Sequence, residues 1–331
     1  MSAMTLTAAP ADRPRQTRWL LRLHRPALYT WAVLWLALVA LLIALSGPLA
    51  DAAAEGWRQY EACGMSERCS YDQNAILRYK SSYDYATIAL NVLPFLLAAW
   101  AGAALTGREL ESGTARLAWT QATSPARWLA VRLAVPALGV TVCTALLAWL
   151  HHRAWAAGQG RIDSAKEWYD RFTFHAGGPT LVAMALAGLA AGALAGLLLR
   201  RTLPALAVGL VAAGVVRGLT ELAMPHLWPA VTRLSTVDQG FLGKGMVVDQ
   251  GMVTASGAHV PPPTCDSPAS CATAFDRFTG RYNTYQPQSH LWDLQLTTAA
   301  LTLAVAALLV TGCFLVLRRQ TGTLRAARAT G

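Results

Sequence analysis

Arg217 and Glu221 stand four positions apart inside an apolar run, Thr202 to Leu222. On a helix that spacing puts both side chains on one face, one turn apart, where they can pair. A charge within a membrane helix is costly and usually faces a cavity or a partner. Near the end of a span the cost falls, because a long side chain can reach water. Two readings therefore stand: a polar pathway across the apolar layer, or a structural pair. Asn91 and Trp100, set in another apolar run from Ala86 to Leu105, join Arg217 and Glu221 as pathway candidates.

A second group of charges lies between two long apolar runs. In Gly107 to Trp128, Leu110, Ala115, Leu117 and Ala118 fall mostly to one side of a 3.6-residue period. Glu109, Glu111 and Arg116 fall mostly to the other, which is the pattern of a short amphipathic helix. A loop that only joined two spans would not need it, whereas a docking element would.

Other chemistry finds little support. No Gly-x-x-x-x-Gly-Lys-Ser/Thr phosphate loop occurs, so the chain is not expected to hydrolyse ATP itself. Nucleophile elbow, metalloprotease helix and dinucleotide fingerprint are missing too. His151, His152, Asp170 and His175 lack a ligand spacing such as two histidines four apart, and read as wet interfacial side chains rather than a metal site.

The elements that must position these residues are membrane helices. The chain has 331 residues, 54% hydrophobic and 14% charged, too apolar for an ordinary soluble domain. Six stretches reach spanning length: about 28–45, 86–105, 129–150, 179–199, 202–222 and 294–317. The first is expected to be retained rather than cleaved as a signal peptide. Gly188, Gly192 and Gly196 in the fourth span, and Gly214 and Gly218 in the fifth, have the spacing of close helix contact.

Charge distribution sets the expected orientation. The ends and alternate loops (1–27, 106–128, 200–201 and 318–331) hold 14 Lys and Arg against 3 acids. The other three loops hold 12 basic and 14 acidic residues. This positive-inside bias places both termini in the cytoplasm. The net charge of +10 is thereby accounted for without nucleic acid, which would need a basic patch on a folded domain. Cys63 and Cys69, and Cys265 and Cys271, then fall on the oxidising side as two expected disulfides, a four-thiolate zinc site being the alternative. Residues 13–25 interleave Arg15, Trp19 and Arg22 with leucines, either an interfacial amphipathic helix or a basic flank. Residues 224–292 are long enough for a compact external region before the last span.

The run Gly107-Arg108-Glu109-Leu110-Glu111-Ser112-Gly113-Thr114, continuing through Arg116-Leu117-Ala118-Trp119-Thr120-Gln121 to Arg127-Trp128, resembles the permease subunits of ABC-2-type (type V) exporters. The likeness is closest to their Ala-rich actinobacterial branch. The chain departs from that pattern at Ser124-Pro125-Ala126, where a second basic residue is expected before Arg127.

The resemblance implies a single all-α polytopic transmembrane domain over 1–331, six spans with an N-terminal interfacial helix, in the bacterial cytoplasmic membrane. It makes 107–128 the cytoplasmic element that couples to a separate ABC ATPase, through Arg108, Glu109, Glu111, Gly113, Thr114, Arg116 and Trp119. The two glutamates would offer carboxylates to the motor, Gly113 would permit a bend, and Trp119 and Trp128 would anchor the element at the headgroups. Two ATPase copies would hold the ATP and Mg, and a second permease copy would complete the path. An amphipathic antibiotic, lipid or peptide would leave the cell, the pattern of multidrug efflux. Two other classes remain: a non-transporting anchor or sensor subunit of an ATPase complex, and a membrane enzyme built on His151, His152 and Glu221.

Overall fold

The computed structural model describes residues 25–65, 69–121, 124–239, 244–264 and 274–329. Six helices in it are long and apolar enough to cross a membrane, and the chain is a polytopic helical membrane protein. Within lipid the backbone must satisfy its own polar groups, so apolar runs of this length become helices. The expected interfacial helix with Arg15, Trp19 and Arg22 lies outside the described residues, as do Cys265 and Cys271.

The first span, α1 (Arg25–Leu45), turns at Ser46-Gly47 into α2 (Pro48–Ala62). Ser46 Oγ donates to Leu42 O, and Pro48 opens α2. Helix α2 buries Ala50, Ala53, Ala54 and Gly56 and leaves its polar face out. Its end is tied by the Cys63–Cys69 disulfide to the approach of α3 (Gln73–Trp100), whose first turn Asp72 caps at 3.0 Å. What the hydropathy leaves as the first outside loop is thus largely helix. Polar residues such as Arg78, Lys80 and Asp84 kept it out of the apolar window without stopping the helix.

Helix α3 runs without a break into a seven-residue π-helical stretch, Ala101–Gly107, and then into α4 (Arg108–Glu111). A turn at Ser112-Gly113 leads to α5 (Thr114–Gln121), and Ser124 caps α6 (Pro125–Gly158). The six-residue α7 (Arg171–Ala176) precedes α8 (Pro179–Leu199). A turn with Arg200 in the left-handed region (φ +52°) joins α8 to α9 (Thr202–Ala223). The last span is α10 (Leu291–Ala329).

Helix α8 is the hub, with 15 of its 21 residues buried against α3, α6, α9 and α10. Its glycines make this possible. A Cβ on Gly188 would clash with Pro94 O, on Gly192 with Ala98 O, and on Gly196 with Thr106 Oγ1. Gly209 of α9 shares the contact: a Cβ there would stand 3.0 Å from Ala98 O. Gly214 and Gly218 do not: a Cβ at Gly214 would have only Phe95 at 3.8 Å, and one at Gly218 nothing within 4 Å. Spacing alone marked both sets, but α9 turns the second set away from its neighbours.

Between α9 and α10 the chain forms a four-stranded antiparallel sheet of β1 (Val231–Ser235), β2 (Gly245–Thr254), β3 (His259–Val260) and β4 (Phe278–Pro287), in the order β1-β4-β2-β3. The compact region expected at 224–292 is therefore β-structured, an addition to an otherwise helical architecture. Buried Gln286 ties it down, donating to Pro225 O at 3.1 Å and Trp228 O at 2.7 Å and meeting His290 at 2.8 Å. The β2–β3 hairpin turns through exposed Ala255–Ala258, with Gly257 at φ +81° and open space around it.

Candidate functional site

Both groups of charges singled out in the sequence are built, at opposite ends of the bundle. At the end bearing α4 and α5, Gly113 takes φ +75°, a value that favours glycine, and breaks the expected single helix in two. Ser112 Oγ and Thr114 Oγ1 lie 3.0 Å apart, and both reach Glu109 O, at 3.4 and 3.3 Å. Leu110, Ala115, Ala118 and Trp119 pack with Trp128, Leu129 and Leu133 of α6 and Leu317 of α10. Trp119 and Trp128 meet edge to face at 5.5 Å, so these two rings brace each other. Leu117 departs from the expected apolar face and is 62% exposed.

Neither glutamate is free, which corrects the expectation that both reach toward a partner. Glu109 is buried and paired with Arg132 of α6. Arg132 also donates from Nη1 to Leu105 O at 3.2 Å and lies 5.0 Å over the Trp128 ring. A charge so enclosed needs its counter-ion, because an unpaired buried ion costs several kcal/mol. Glu111 accepts from Thr202 N at 2.9 Å and from the Thr202 hydroxyl, acting as a remote cap on α9. Arg108, Arg116, Leu117 and Arg127 face outward beside Glu111 and small polar residues, so the open surface carries three arginines, one engaged carboxylate and one apolar projection.

At the sheet-bearing end, Arg217 and Glu221 pair at 2.8 Å as their spacing predicts. Arg171 of α7 joins them, its Nε donating to both Glu221 oxygens at 3.0 and 2.9 Å. Asp170 caps α7 through Phe172 N and Thr173 N. Side chains from three spans then hold its carbonyls. Arg217 reaches Arg171 O at 3.5 Å, Asn91 reaches Phe172 O at 3.0 Å, and Gln295 of α10 reaches Phe174 O. Tyr83 adds a contact to Thr173 Oγ1 at 3.3 Å.

Asn91, Arg217 and Glu221 thus meet around α7. Trp100 does not: it packs beside Ala101, Leu105 and Leu189, nine residues further along α3, or about 14 Å.

Two of the three histidines are not wet, and His152 is only partly buried. His151 is fully buried and 2.9 Å from Thr87 Oγ1, while His175 is 2% exposed. Burial and the nearby Arg217 and Arg171 guanidiniums push the His175 pKa well below its ordinary value, so its ring is neutral. Among the described residues no three metal-ligating side chains come together. Arg171, Gln295 and Thr202 went unnoticed in the sequence, since each acts through a partner at least 50 positions away. Arg132 could have been found: it is the lone charge in the third apolar run, at its fourth residue.

The helical bundle thus carries one group of charges at each end and a braced pair of short helices in one interhelical loop. The chain belongs to the ABC-2 membrane transporter related family, whose model matches residues 32–224. That match runs from within α1 through α9, takes in both groups of charges, and stops short of the sheet and α10. The protein is accordingly a multi-pass permease subunit of the ABC-2 type, a class that works with an ABC ATPase. No curated protein and no solved structure matches the chain.

Proposed function

We propose that the chain is the membrane half of an ATP-driven exporter, moving an amphipathic substrate (an antibiotic, a lipid or a peptide) out of the cell. Two copies would pair, with two ATPases holding ATP and Mg beneath them. The α4–α5 end faces the cytoplasm in this reading, with both termini, on the strength of the positive-inside bias. Arg15, Trp19 and Arg22 add basic and apolar contacts at the same leaflet. The sheet and the Arg171–Glu221–Arg217 cluster then lie outside, where substrate leaves past Asn91.

One observation carries the reading. The α4–α5 element continues directly from α3 and is bound to two further spans, to α6 by Glu109–Arg132 and to α9 by Glu111–Thr202, while its outer surface is free. A push on Arg108, Arg116 or Leu117 would therefore reach α3, α6 and α9 together. Apart from Glu111, which Thr202 engages, the exposed charges are basic, so the matching surface on the ATPase is acidic around an apolar notch.

The test is copurification, in lipid, with the ABC ATPase encoded beside the gene. Arg116→Glu/Leu117→Glu should abolish association. Glu109→Gln should keep association and lose substrate-stimulated hydrolysis. If the surface double variant still binds the ATPase as wild type does, the docking assignment is wrong.

A further inference from the structure

We infer that the Arg171–Glu221–Arg217 cluster receives a negatively charged headgroup, so that the exported amphipath carries one anionic group, a phosphate or a carboxylate, on an apolar chain. The inference rests on the exporter reading and names the chemistry of its substrate.

Two guanidiniums share one carboxylate in this cluster, which leaves one positive charge in excess. Among the described residues no other carboxylate pairs with either arginine. Asp170 is next in sequence to Arg171 but is engaged elsewhere. Its Oδ1 accepts from the amides of Phe172 and Thr173, and its Oδ2 lies 3.9 Å from Lys166 Nζ. An excess charge in open water would mean little. The Arg217 side chain, however, is 13% exposed and belongs to the fifth span. A charge so placed calls for a partner.

Arg217 also has donors to spare. Its Nη2 meets Glu221 at 2.8 Å and Arg171 O at 3.5 Å, which accounts for the two hydrogens on that nitrogen. A guanidinium carries three further N–H groups, on Nε and Nη1. None of these meets an acceptor among the described residues. They are charge-assisted donors, the kind that phosphate and carboxylate oxygens accept. Asn91 has no N–H left to offer, because its amide is held by Thr87 O at 2.8 Å and Phe172 O at 3.0 Å. The anion therefore falls to Arg217, with the 71% exposed Arg171 beside it.

Room for the apolar chain adjoins the cluster. At 3.6 residues per turn, Gly214 and Gly218 lie roughly 60° and 100° around α9 from Arg217, on the side of Glu221. A Cβ on Gly214 would have only Phe95 Cε1 at 3.8 Å, and one on Gly218 nothing within 4 Å. The two glycines leave a furrow with Phe95 as its apolar wall.

The experiment is photolabelling of the full chain in phosphatidylcholine nanodiscs, without ATPase. The probes are one alkyl diazirine ended by a phosphate, a hydroxyl or a trimethylammonium, and labelled residues are mapped by mass spectrometry. The phosphate probe should label α9 around Gly218. The other two should label it about tenfold less, the worth of a charge-assisted hydrogen bond. Arg171→Gln leaves Glu221 to neutralise Arg217 and should remove the preference. Arg171→Gln/Glu221→Gln restores the excess charge and should restore the preference, a rescue that a purely structural cluster would not show. If melting shows the double variant to be unfolded, Arg171→Gln decides alone. The inference fails if the probes label alike, if Arg171→Gln keeps the preference, or if the folded double variant lacks it. It fails too if no probe reaches α9, as when a second copy covers the furrow. Adding phosphatidylglycerol to the nanodisc separates two sources of the anion. Suppressed labelling identifies a membrane phospholipid, and unchanged labelling a free amphipath. Because no ATPase is present, a failure of docking leaves this result standing, and the reverse holds too.

Discussion

Glu111 and Thr202 stand 91 residues apart in the chain, yet the Thr202 amide donates to the Glu111 carboxylate at 2.9 Å. The start of the fifth span is thereby capped by the loop after the second. A helix whose first turn is closed by a side chain from another loop cannot tilt without pulling on that loop. Glu111→Ala should lower the melting temperature, as the loss of a helix cap does. In a double-mutant cycle with Thr202→Val, thermal unfolding in detergent should show the two losses to be non-additive. Additive losses would mean that the contact contributes nothing.

Glu109 and Arg132 call for a different variant pair. Glu109→Ala leaves a buried guanidinium without its counter-ion and should destabilise the protein by about 3–5 kcal/mol. Glu109→Leu with Arg132→Met removes both charges and should recover most of that loss. Recovery of stability without recovery of substrate-stimulated hydrolysis would separate the pair's mechanical part from its structural one.

At the other end, one carboxylate serves two arginines. Glu221→Gln should therefore destabilise much more than Arg171→Ala, since the Arg171 side chain is 71% exposed and solvent screens such pairs. Equal melting temperatures for the two variants would contradict the asymmetry.

His175 gives that end a dependence on acid. Its folded-state pKa lies below the unfolded value of about 6.5. Below that pH the unfolded chain takes up a proton that the folded chain does not, so stability falls as pH falls and is unaffected well above it. Melting temperatures from pH 8 to pH 5 should decline in wild type and decline less in His175→Gln. An unchanged slope in the variant would show that His175 is not the group responsible.

The Cys63–Cys69 bond closes only a short loop, and its chain-entropy contribution is about 2 kcal/mol. Peptide mapping without reductant should recover the two cysteines linked. Mild reduction should loosen the end of α2 while leaving α3, which Asp72 caps independently.

The spans were readable because lipid imposes one rule on every residue in them, and Arg217 with Glu221 because their partnership is local. Glu109 was misread for the opposite reason. Its polarity suggested solvent, while the residue that neutralises it lies in the next span, out of reach of any periodic pattern. Glu111 does stay exposed, but its carboxylate is taken by Thr202, 91 positions away. Helix α7 left almost no trace: six residues set no period, and its anchors Asn91, Arg217 and Gln295 come from three separate helices. The β-structure was foreshadowed only as a region long enough to fold.

The exposed turn at Ala255–Ala258 has a practical use. Gly257 sits in open space at the tip of a short hairpin, remote from the residues that fasten the sheet through Gln286. A short peptide epitope spliced in at Ser256-Gly257 should leave the bundle undisturbed. Antibody staining of intact cells against permeabilised ones would then report which compartment that hairpin enters, and with it the direction in which every helix of the molecule runs.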